Sequence, residues 1–564
     1  MKNSLKFFLI TIIILWLFGF LYIFSGNTKN SYSEIQNNYD DRIDLVDNEV
    51  LRQKIRKAES DLIELQNKNE KNEELIEELK SRAQECKEKF DNFDRKNVNS
   101  VQLDSPSYEF EELRRKIFHD VKDVSYYINS QLDWLKNAKN FDNLNKNIDL
   151  ISQQFKERIN VLIASTYNLS ISNHLGEWRR TESENLAKVV QKRFTELQNP
   201  EDCNNKKKII CDMGKSCGYG CQMHHIMYCF ITAYFTNRTM ILNSDGWRYN
   251  EKGYEAYFMP LSETCRKSNA QQVGWNEHND EKAPEIKMPI IDAIVNKPSF
   301  LPLSVPKEIL EPLKKFHGDP FVWWSGQVLS YLMRFNSEFQ KTINQHTEAI
   351  QFKTPCVGVH VRRTDKIGSE AAYHGIDEYM KYVKEFYDIE DLKNSKKTTR
   401  NVFLATDEVG VLKEAKENYK DYKFFVDETN AKTASLNQRY SPESAQGVIL
   451  DIYHLSQCDY LVCTFSSQVC RMAYELMQVR FPDASWRFKS LDDVYYFGGQ
   501  NKHDVMAIYD HEPNRENGEI ELRKGDLIGL AGNHWNGFSK GQNRRTNEIG
   551  LFPTFKTMNV IDYY

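Results

Sequence analysis

The run Cys356-Val357-Gly358-Val359-His360-Val361-Arg362-Arg363-Thr364-Asp365-Lys366-Ile367-Gly368-Ser369-Glu370 sets charged groups directly after a β-prone, mostly apolar stretch. Guanidinium groups bind phosphate oxygens bidentately and stay charged, so Arg362 and Arg363 suit a leaving nucleoside diphosphate without a metal. Glu370 is the candidate general base, because a carboxylate within hydrogen-bond reach of a hydroxyl can take its proton in a single displacement. Lys366 either tunes that carboxylate or forms a plain salt bridge with it. His360 reads either as a satisfied structural histidine or as a ligand contact. From charge pattern alone, a solvated basic turn is the competing reading of the whole cluster.

Elements that would position these groups follow from the periodicity. From Pro355 onward, strand-like runs at 357–361, 401–406, 423–426 and 460–464 alternate with helical stretches, which predicts a doubly wound parallel sheet. Ligands of such sheets sit at the carboxyl ends of the strands, where Arg362 and its neighbours fall. Ser441-Pro442 opens one helix with a cap and a first-turn proline, and Ser466-Ser467 opens another whose amides suit phosphate. Residues 226–235 read as a buried helix ahead of the Thr239-Met240-Ile241-Leu242 strand. No Asp-x-Asp sequence occurs to hold a metal on a diphosphate, so cations must replace it and no metal or other cofactor is expected.

A chain of 564 residues is too long for one core. Its formal charge of −5, from 75 basic and 80 acidic residues, gives no global basic field, so nucleic acid is not an expected partner. Residues 7–24 carry no charge and are just long enough to span a bilayer. Lys2 and Lys6 precede that run while Asp40, Asp41 and Asp44 follow it, so the positive-inside rule predicts a signal anchor with residues 1–6 cytosolic and the rest lumenal. A removed signal peptide is the rival, and the short span suits the thinner early secretory membranes. Residues 25–50 read as a polar stem. From Leu51 to Phe93, apolar positions alternate spacings of four and three, with Asn69 and Cys86 on the seam. That predicts a dimeric coiled coil against the alternative of a single amphipathic helix, within a helical dimerisation region over 51–197. The 11 cysteines, most of them between Cys203 and Cys265, suit disulfides in an oxidising lumen better than a zinc site at Cys217-x3-Cys221, which lacks a second pair. Asn168 and Asn237 begin glycosylation sequons.

The motif His360-Val-Arg-Arg-Thr-Asp-Lys with Gly368-x-Glu-Ala-Ala resembles the signature of the α1,6-fucosyltransferases that modify the core of N-glycans. Gly218-Tyr-Gly-Cys-Gln-Met-His-His, Asn243-Ser-Asp-Gly-Trp-Arg-Tyr, Thr464-Phe-Ser-Ser-Gln-Val-Cys and Ser490-Leu-Asp-Asp agree in order and spacing. The resemblance implies an α/β, GT-B-like glycosyltransferase with a catalytic domain over 198–500 and its nucleotide-binding sheet over about 355–500. It implies transfer of L-fucose from GDP-β-L-fucose in α1,6 linkage to the innermost GlcNAc of N-glycoproteins, by an inverting, metal-independent displacement in the Golgi lumen. Arg362, Lys366 and Glu370 are then catalytic, while Arg362, Arg363, His360, Tyr249, Asp407, Asp451 and Ser467 bind the donor. Lys215, Asp292, Asp493 and His534 bind the acceptor. Implied disulfides are Cys203–Cys265, Cys211–Cys229, Cys217–Cys221 and Cys463–Cys470, leaving Cys86, Cys356 and Cys458. The family's acidic pair appears as Asp407-Glu408, a departure at its second member. Residues 501–564 resemble a Src-homology-3 barrel through Ala507-Ile-Tyr-Asp, Leu522-Arg-Lys-Gly-Asp, Trp535-Asn-Gly and Gly550-Leu-Phe-Pro. His511 replaces the second motif tyrosine there, which disfavours a peptide-binding adaptor. A membrane-tethered lectin or scaffold without catalysis, and a fucosyltransferase with a different acceptor, are the remaining alternatives.

Overall fold

The computed structural model describes residues 54–61, 63, 81, 106, 108–137, 142–172, 175–268, 270–275, 282–364, 371–434 and 438–564. The expected anchor (7–24), the stem (25–50) and most of the heptad segment, Cys86 included, lie outside them, while residues 54–61 are helical and exposed. No helix among the described residues is long and apolar enough to cross a membrane. The chain divides into Met1–Gln102 and a second compact unit, Leu103–Tyr564, which carries every element below.

Three helices open this unit: α1 (Tyr108–Asn137), α2 (Asp142–Ser172) and α3 (Leu175–Gln198). Phe118, Ile159 and Ile163 are buried between α1 and α2 and pack with Trp486. Other faces of the same two helices leave Ile117, Val124, Leu150, Ile151, Val161 and Leu162 exposed.

β1 (Lys208–Asp212), α4 (Tyr219–Phe235), β2 (Thr239–Asn243), β3 (Val273–Gly274) and β4 (Glu285–Lys287) follow. Their strands form a parallel sheet in the order β2-β1-β4-β3. The sequence reading anticipates only a helix and the β2 strand here. Two of the missing strands are disguised by charge: Lys208 stands opposite Glu285 in the register, and the two pair at 3.1 Å, both buried.

β5 (Ser304–Val305), α5 (Lys307–Phe316), α6 (Pro320–Leu332) and α7 (Ser337–Ala349) lead to the second sheet. That sheet is built from β6 (Val357–Val361), α8 (Ile376–Asn394), β7 (Asn401–Thr406), α9 (Val409–Asn418), β8 (Lys423–Phe425), α10 (Glu428–Thr433), α11 (Pro442–Gln457), β9 (Tyr460–Cys463), α12 (Gln468–Arg480) and β10 (Phe488–Ser490). Its order is β10-β9-β6-β7-β8, parallel throughout. Every residue of β6 is buried, as a central strand covered on both faces requires. Val357, Val359 and Val361 pack with Ile376, Tyr379 and Val383 of α8, while Phe403 and Ala405 of β7 join Ile449 of α11 in the other core. Ser441 caps α11 by accepting from the Ser444 amide, with Pro442 in the first turn.

The two sheets meet where α4 approaches α12. A Cβ on Gly220 would lie 2.8 Å from the Gln468 Cβ, so only glycine permits this distance. His224 on the same face of α4 reaches Gln468 Oε1 at 3.2 Å and Glu475 Oε1 at 2.9 Å.

β11 (Asp504–Ala507), β12 (Leu527–Asn533), β13 (Phe538–Asn543), β14 (Ile549–Pro553) and β15 (Thr557–Asn559) form an antiparallel sheet in the order β14-β13-β12-β11-β15. Val505, Ile520, Leu522, Ile528 and Phe552 fill its core. β16 (Asp562–Tyr563) leaves that sheet and pairs in parallel with β5.

Cys203–Cys265, Cys211–Cys229, Cys217–Cys221, Cys356–Cys458 and Cys463–Cys470 are disulfide-bonded. The Cys356–Cys458 bond corrects the reading that left both unpaired. These cysteines are 102 residues apart in sequence, and the pairing of β6 with β9 brings them together.

Candidate active site

β6 ends at Val361 and its neighbour β7 at Thr406, paired residue for residue, so Arg362 and Asp407 emerge side by side from the carboxyl edge of the sheet. Arg362 Nη1 donates to Asp407 Oδ2 at 2.6 Å. The Arg363 amide donates to Asp407 Oδ1 at 2.9 Å, and the Thr364 amide to Oδ2 at 3.2 Å. The Thr364 hydroxyl donates to the same carboxylate. Burial opposes the charge on Asp407, but Arg362 and these donors outweigh it and hold the carboxyl below its ordinary range. Asp407 therefore fixes both the direction of the Arg362 guanidinium and the path of the loop that leaves β6.

Arg363 does not stand beside Arg362. Its guanidinium is buried, lies 3.5 Å from Glu408 and 3.7 Å from Glu414, covers the Tyr373 ring at 4.6 Å and donates to the His374 carbonyl at 3.2 Å. The pair expected at a diphosphate thus splits: Arg362 occupies the sheet edge and Arg363 ties down the returning loop. Between them, residues 365–370, with Lys366 and Glu370, lie outside the described residues. His360 is buried at the end of β6, and burial, reinforced by Arg362, pushes its pKa down to about 4, so the ring is neutral near pH 7.

A second wall comes from the turn between β9 and α12. Ser467 is the N-cap residue of α12, is buried, and makes no side-chain cap bond. Asp492, to which the sequence reading gave no role, organises this turn. It accepts from the Phe465 amide at 2.8 Å, the Ser466 amide at 3.3 Å, the Ser490 hydroxyl at 2.9 Å and the Asp493 amide at 2.7 Å. The only sequence signal was its place in Ser490-Leu491-Asp492-Asp493. A helix amino terminus carries partial positive charge, which suits an anion.

Asp451 sits half-buried on α11 and accepts from Asn430 Nδ2 at 3.0 Å. Burial pushes its pKa up to about 7 against the opposing effects of Asn430 and His346. Tyr249 comes from the other sheet. Its hydroxyl accepts from the Tyr219 amide at 2.8 Å, and its ring lies 5.3 Å from that of Tyr440, over which the Arg248 guanidinium stacks at 3.6 Å. Asn430, Arg248 and Tyr440 were not singled out from sequence.

The four residues expected at an acceptor fall into two pairs. Lys215 Nζ and Asp292 Oδ2 are 2.8 Å apart on the first sheet's side. Burial holds the Asp493 carboxyl above its ordinary range, against the Val494 amide, from which it accepts at 2.7 Å, and the nearby His534, which follows β12. Among the described residues, Cys211, His225 and Cys229 are the one group close enough to share a metal ion, but the cysteines are bonded to each other and have no thiolate to offer.

The chain matches the family described as alpha-(1,6)-fucosyltransferase N- and catalytic domains over residues 1–496. It is 43% identical over 461 residues to an alpha-(1,6)-fucosyltransferase of Drosophila melanogaster, covering 81% of this chain and 74% of that one. It is 44% identical over 381 residues to one of Caenorhabditis elegans, covering 66% of this chain and 67% of that one. Among solved structures, NodZ alpha-1,6-fucosyltransferase soaked with GDP-fucose is 16% identical with a TM-score of 0.26, covering 48% of this chain and 92% of that one, a level of likeness that bears on neither fold nor site.

Proposed function

This chain belongs to the alpha-(1,6)-fucosyltransferase family of glycosyltransferases, and from that premise we propose that it moves L-fucose from GDP-β-L-fucose to the 6-hydroxyl of the innermost, Asn-linked GlcNAc of N-glycans. The observation that carries the reading is the Arg362–Asp407 pair at the carboxyl edge of a parallel sheet, opposite the α12 amino terminus held by Asp492. Both features present fixed positive charge to one region, which is what a departing diphosphate requires. A GT-B-like arrangement is supported by two separate parallel sheets with helices, meeting along α4 and α12.

In this reading Glu370 takes the proton of the acceptor hydroxyl as its oxygen attacks the anomeric carbon. The bond from that carbon to the β-phosphate oxygen breaks, GDP departs with the electron pair, and the β-linked donor gives an α-linked product. Arg362, preorganised by Asp407, and the α12 amides stabilise the negative charge that develops on the leaving group. Lys366 is positioned by sequence to act on Glu370 or the phosphates. Asp451 accepts hydrogen bonds from the guanine edge, and Tyr249 holds the wall beside it. Lys215, Asp292, Asp493 and His534 address the acceptor sugars, the last from a Src-homology-3-like barrel. The reaction proceeds without a metal.

The test is incubation of the purified chain in EDTA with several nucleotide sugars and a GlcNAc-terminated N-glycan, followed by linkage mapping of the product. An α1,6-fucosylated core GlcNAc formed from GDP-fucose alone is the expected product. A different linkage, a different donor, or activity that returns only with Mg²⁺ or Mn²⁺ defeats the corresponding part.

We further propose a single-pass type II placement in the Golgi membrane with the catalytic domain in the lumen. Support comes from the uncharged run at 7–24 with its flanking charges and from five disulfides, which persist in oxidising compartments. Digestion of the catalytic domain by protease added to sealed Golgi vesicles would overturn it. A homodimer is supported by the heptads of residues 51–93 and by the exposed Val124, Leu150, Ile151, Val161 and Leu162 on α1 and α2.

A further inference from the structure

A cavity of about 200 Å³ opens between α1, α2 and α3 on one side and residues 482–487 on the other, and Arg114, Arg115, Arg179 and Arg487 line it. Residues 482–487 lead into β10 and Asp459 leads into β9, so the cavity belongs to the amino-terminal edge of the second sheet. Arg362, Asp407 and Ser467 belong to the opposite, carboxyl edge. At roughly 3.3 Å per residue, the length of β9 separates the two by about 13 Å or more.

The charges around this cavity do not balance. Glu111 is taken up by Arg179 Nη1 at 2.5 Å and Arg114 Nε at 3.0 Å, and stands 3.9 Å from Arg115 Nη1. Asp483 Oδ1 accepts from the Ser485 hydroxyl and amide and the Gly318 amide, while Oδ2 lies 3.9 Å from Arg114. Arg115 rests on a neutral acceptor, the Lys314 carbonyl, at 2.7 Å. Among the described residues, Arg487 donates only to the Asp459 carbonyl at 3.0 Å and the Tyr167 hydroxyl at 2.6 Å, and covers the Phe481 ring at 4.0 Å and the Trp486 ring at 4.5 Å. Arg115 Nη1 and Arg487 Nε are buried without a hydrogen-bond partner among the described residues. Asp459 and Glu390 also lie near Tyr167 but are taken up by Arg480 at 3.6 Å and Lys393 at 2.5 Å. Among the described residues, the four guanidiniums lining the space, which do not deprotonate, are thus left with Glu111 and Asp483, both already engaged. Buried donors left unpaired and cations left uncompensated are costly, and a bidentate oxyanion relieves both.

We propose that this cavity is a second anion site, which takes a phosphate or sulfate monoester of a sugar. The oxyanion meets Arg115 and Arg487, and the sugar lies against Phe118 and Trp486, which also line the space. At roughly 30 Å³ per water, a cavity of about 200 Å³ has room for more than a bare ion. Because its walls come from both the helices and the catalytic sheet, a bound ester holds the two together.

The test is calorimetry and thermal unfolding of the full chain in saturating GDP, so that the nucleotide pocket does not report, with glucose 6-phosphate, glucose 6-sulfate, inorganic phosphate and plain glucose as probes. The esters bind saturably and raise Tm, inorganic phosphate binds at least several-fold more weakly, and glucose does not bind. Arg115→Gln with Arg487→Gln weakens ester binding more than tenfold and leaves GDP affinity unchanged. Should that double variant not fold, Thr166→Glu keeps every arginine and supplies a resident carboxylate from the cavity wall, and it abolishes ester binding. Absence of saturable binding by any oxyanion, or equal ester affinity in wild type and Thr166→Glu, overturns the site. Equal affinity for inorganic phosphate and the esters overturns the assignment to a sugar ester.

Discussion

Replacing Asp407 by Asn keeps its volume and removes the charge that aims Arg362. In the native arrangement Oδ2 receives Arg362 Nη1 and the Thr364 amide and hydroxyl, while Oδ1 receives the Arg363 amide. An asparagine can put its carbonyl oxygen in the Oδ2 place, but its amide then faces the Arg363 amide, donor against donor. Losing the charge-assisted bond to Arg362 costs about 1.5–3 kcal/mol, and the buried unsatisfied amide costs about 1–3 kcal/mol more. Part of this falls on folding of the loop and part on the transition state. If about 3 kcal/mol reaches the leaving diphosphate, kcat/KM for GDP-fucose falls about 100-fold. Steady-state transfer to a biantennary N-glycan measures that drop, and calorimetry with GDP beside thermal unfolding separates it from loss of fold. A variant with native Tm and kcat/KM within fivefold of wild type would refute the view that Asp407 orients the catalytic cation.

Arg362→Lys retains charge without the fork, and the expected result is a loss of at least tenfold in kcat measured in the same assay; near-native turnover defeats the bidentate argument. Glu370→Gln should leave GDP affinity intact while turnover drops roughly 100- to 10,000-fold, and lost GDP binding would move Glu370 into the donor pocket. On the proposed role of Asp451 as the guanine contact in its carboxylate form, a pKa pushed up to about 7 means that GDP affinity by calorimetry should weaken as pH falls below about 7, and Asp451→Asn should flatten that dependence. The sign for stability is opposite: the folded state holds this proton more tightly than the unfolded one, so ligand-free Tm should lose this contribution as pH rises from about 4 to about 7. Val124→Glu with Leu162→Glu, both exposed now, should convert a dimer to a monomer by light scattering without loss of fold, and an unchanged dimer would clear these helix faces of the interface.

The second sheet was legible where its strands were apolar throughout. Val357–Val361 and Asn401–Thr406 carry little else and lie at its centre. β10 was not legible, because its middle residue is Lys489. That lysine is buried, with Nζ 4.1 Å from the ring centres of both Tyr126 and Trp535 and 4.8 Å from that of Tyr382, and burial pushes its pKa down to about 7. A cation satisfied by rings from three distant segments cannot be inferred from a three-residue window. β1 and β4 escaped for the related reason that Lys208 and Glu285 neutralise one another only after pairing. At the site, the charge that ends a β-prone run announced Arg362 and the family resemblance brought in Asp407, but neither told that Arg363 would turn to Glu408 and Glu414. Successive residues leaving a strand face opposite ways, and which one meets acid depends on a helix α9 many residues later. Asp492 was hidden because all but one of its partners are backbone amides, which have no letter in a sequence.

The pairing of β16 with β5 gives the C-terminal antiparallel sheet a second attachment. The chain enters this sheet after Asn501, whose amide is held by the Pro302 carbonyl, and returns so that Tyr564 bonds Val305 and Lys307 and its ring meets Phe235 and Phe300. A module tied at one end is a pendulum; tied at both, it is a bracket. Trp535 bonded to the Asp492 carbonyl at 2.7 Å is the cross-brace, on the same aspartate that shapes the turn before α12. For His534, next to that tryptophan, the freedom a swinging domain would surrender on meeting a ligand has been surrendered already, during folding. Lengthening the connection near residue 560 would restore the pendulum, and its cost would be entropic, with every side chain of the site left in place.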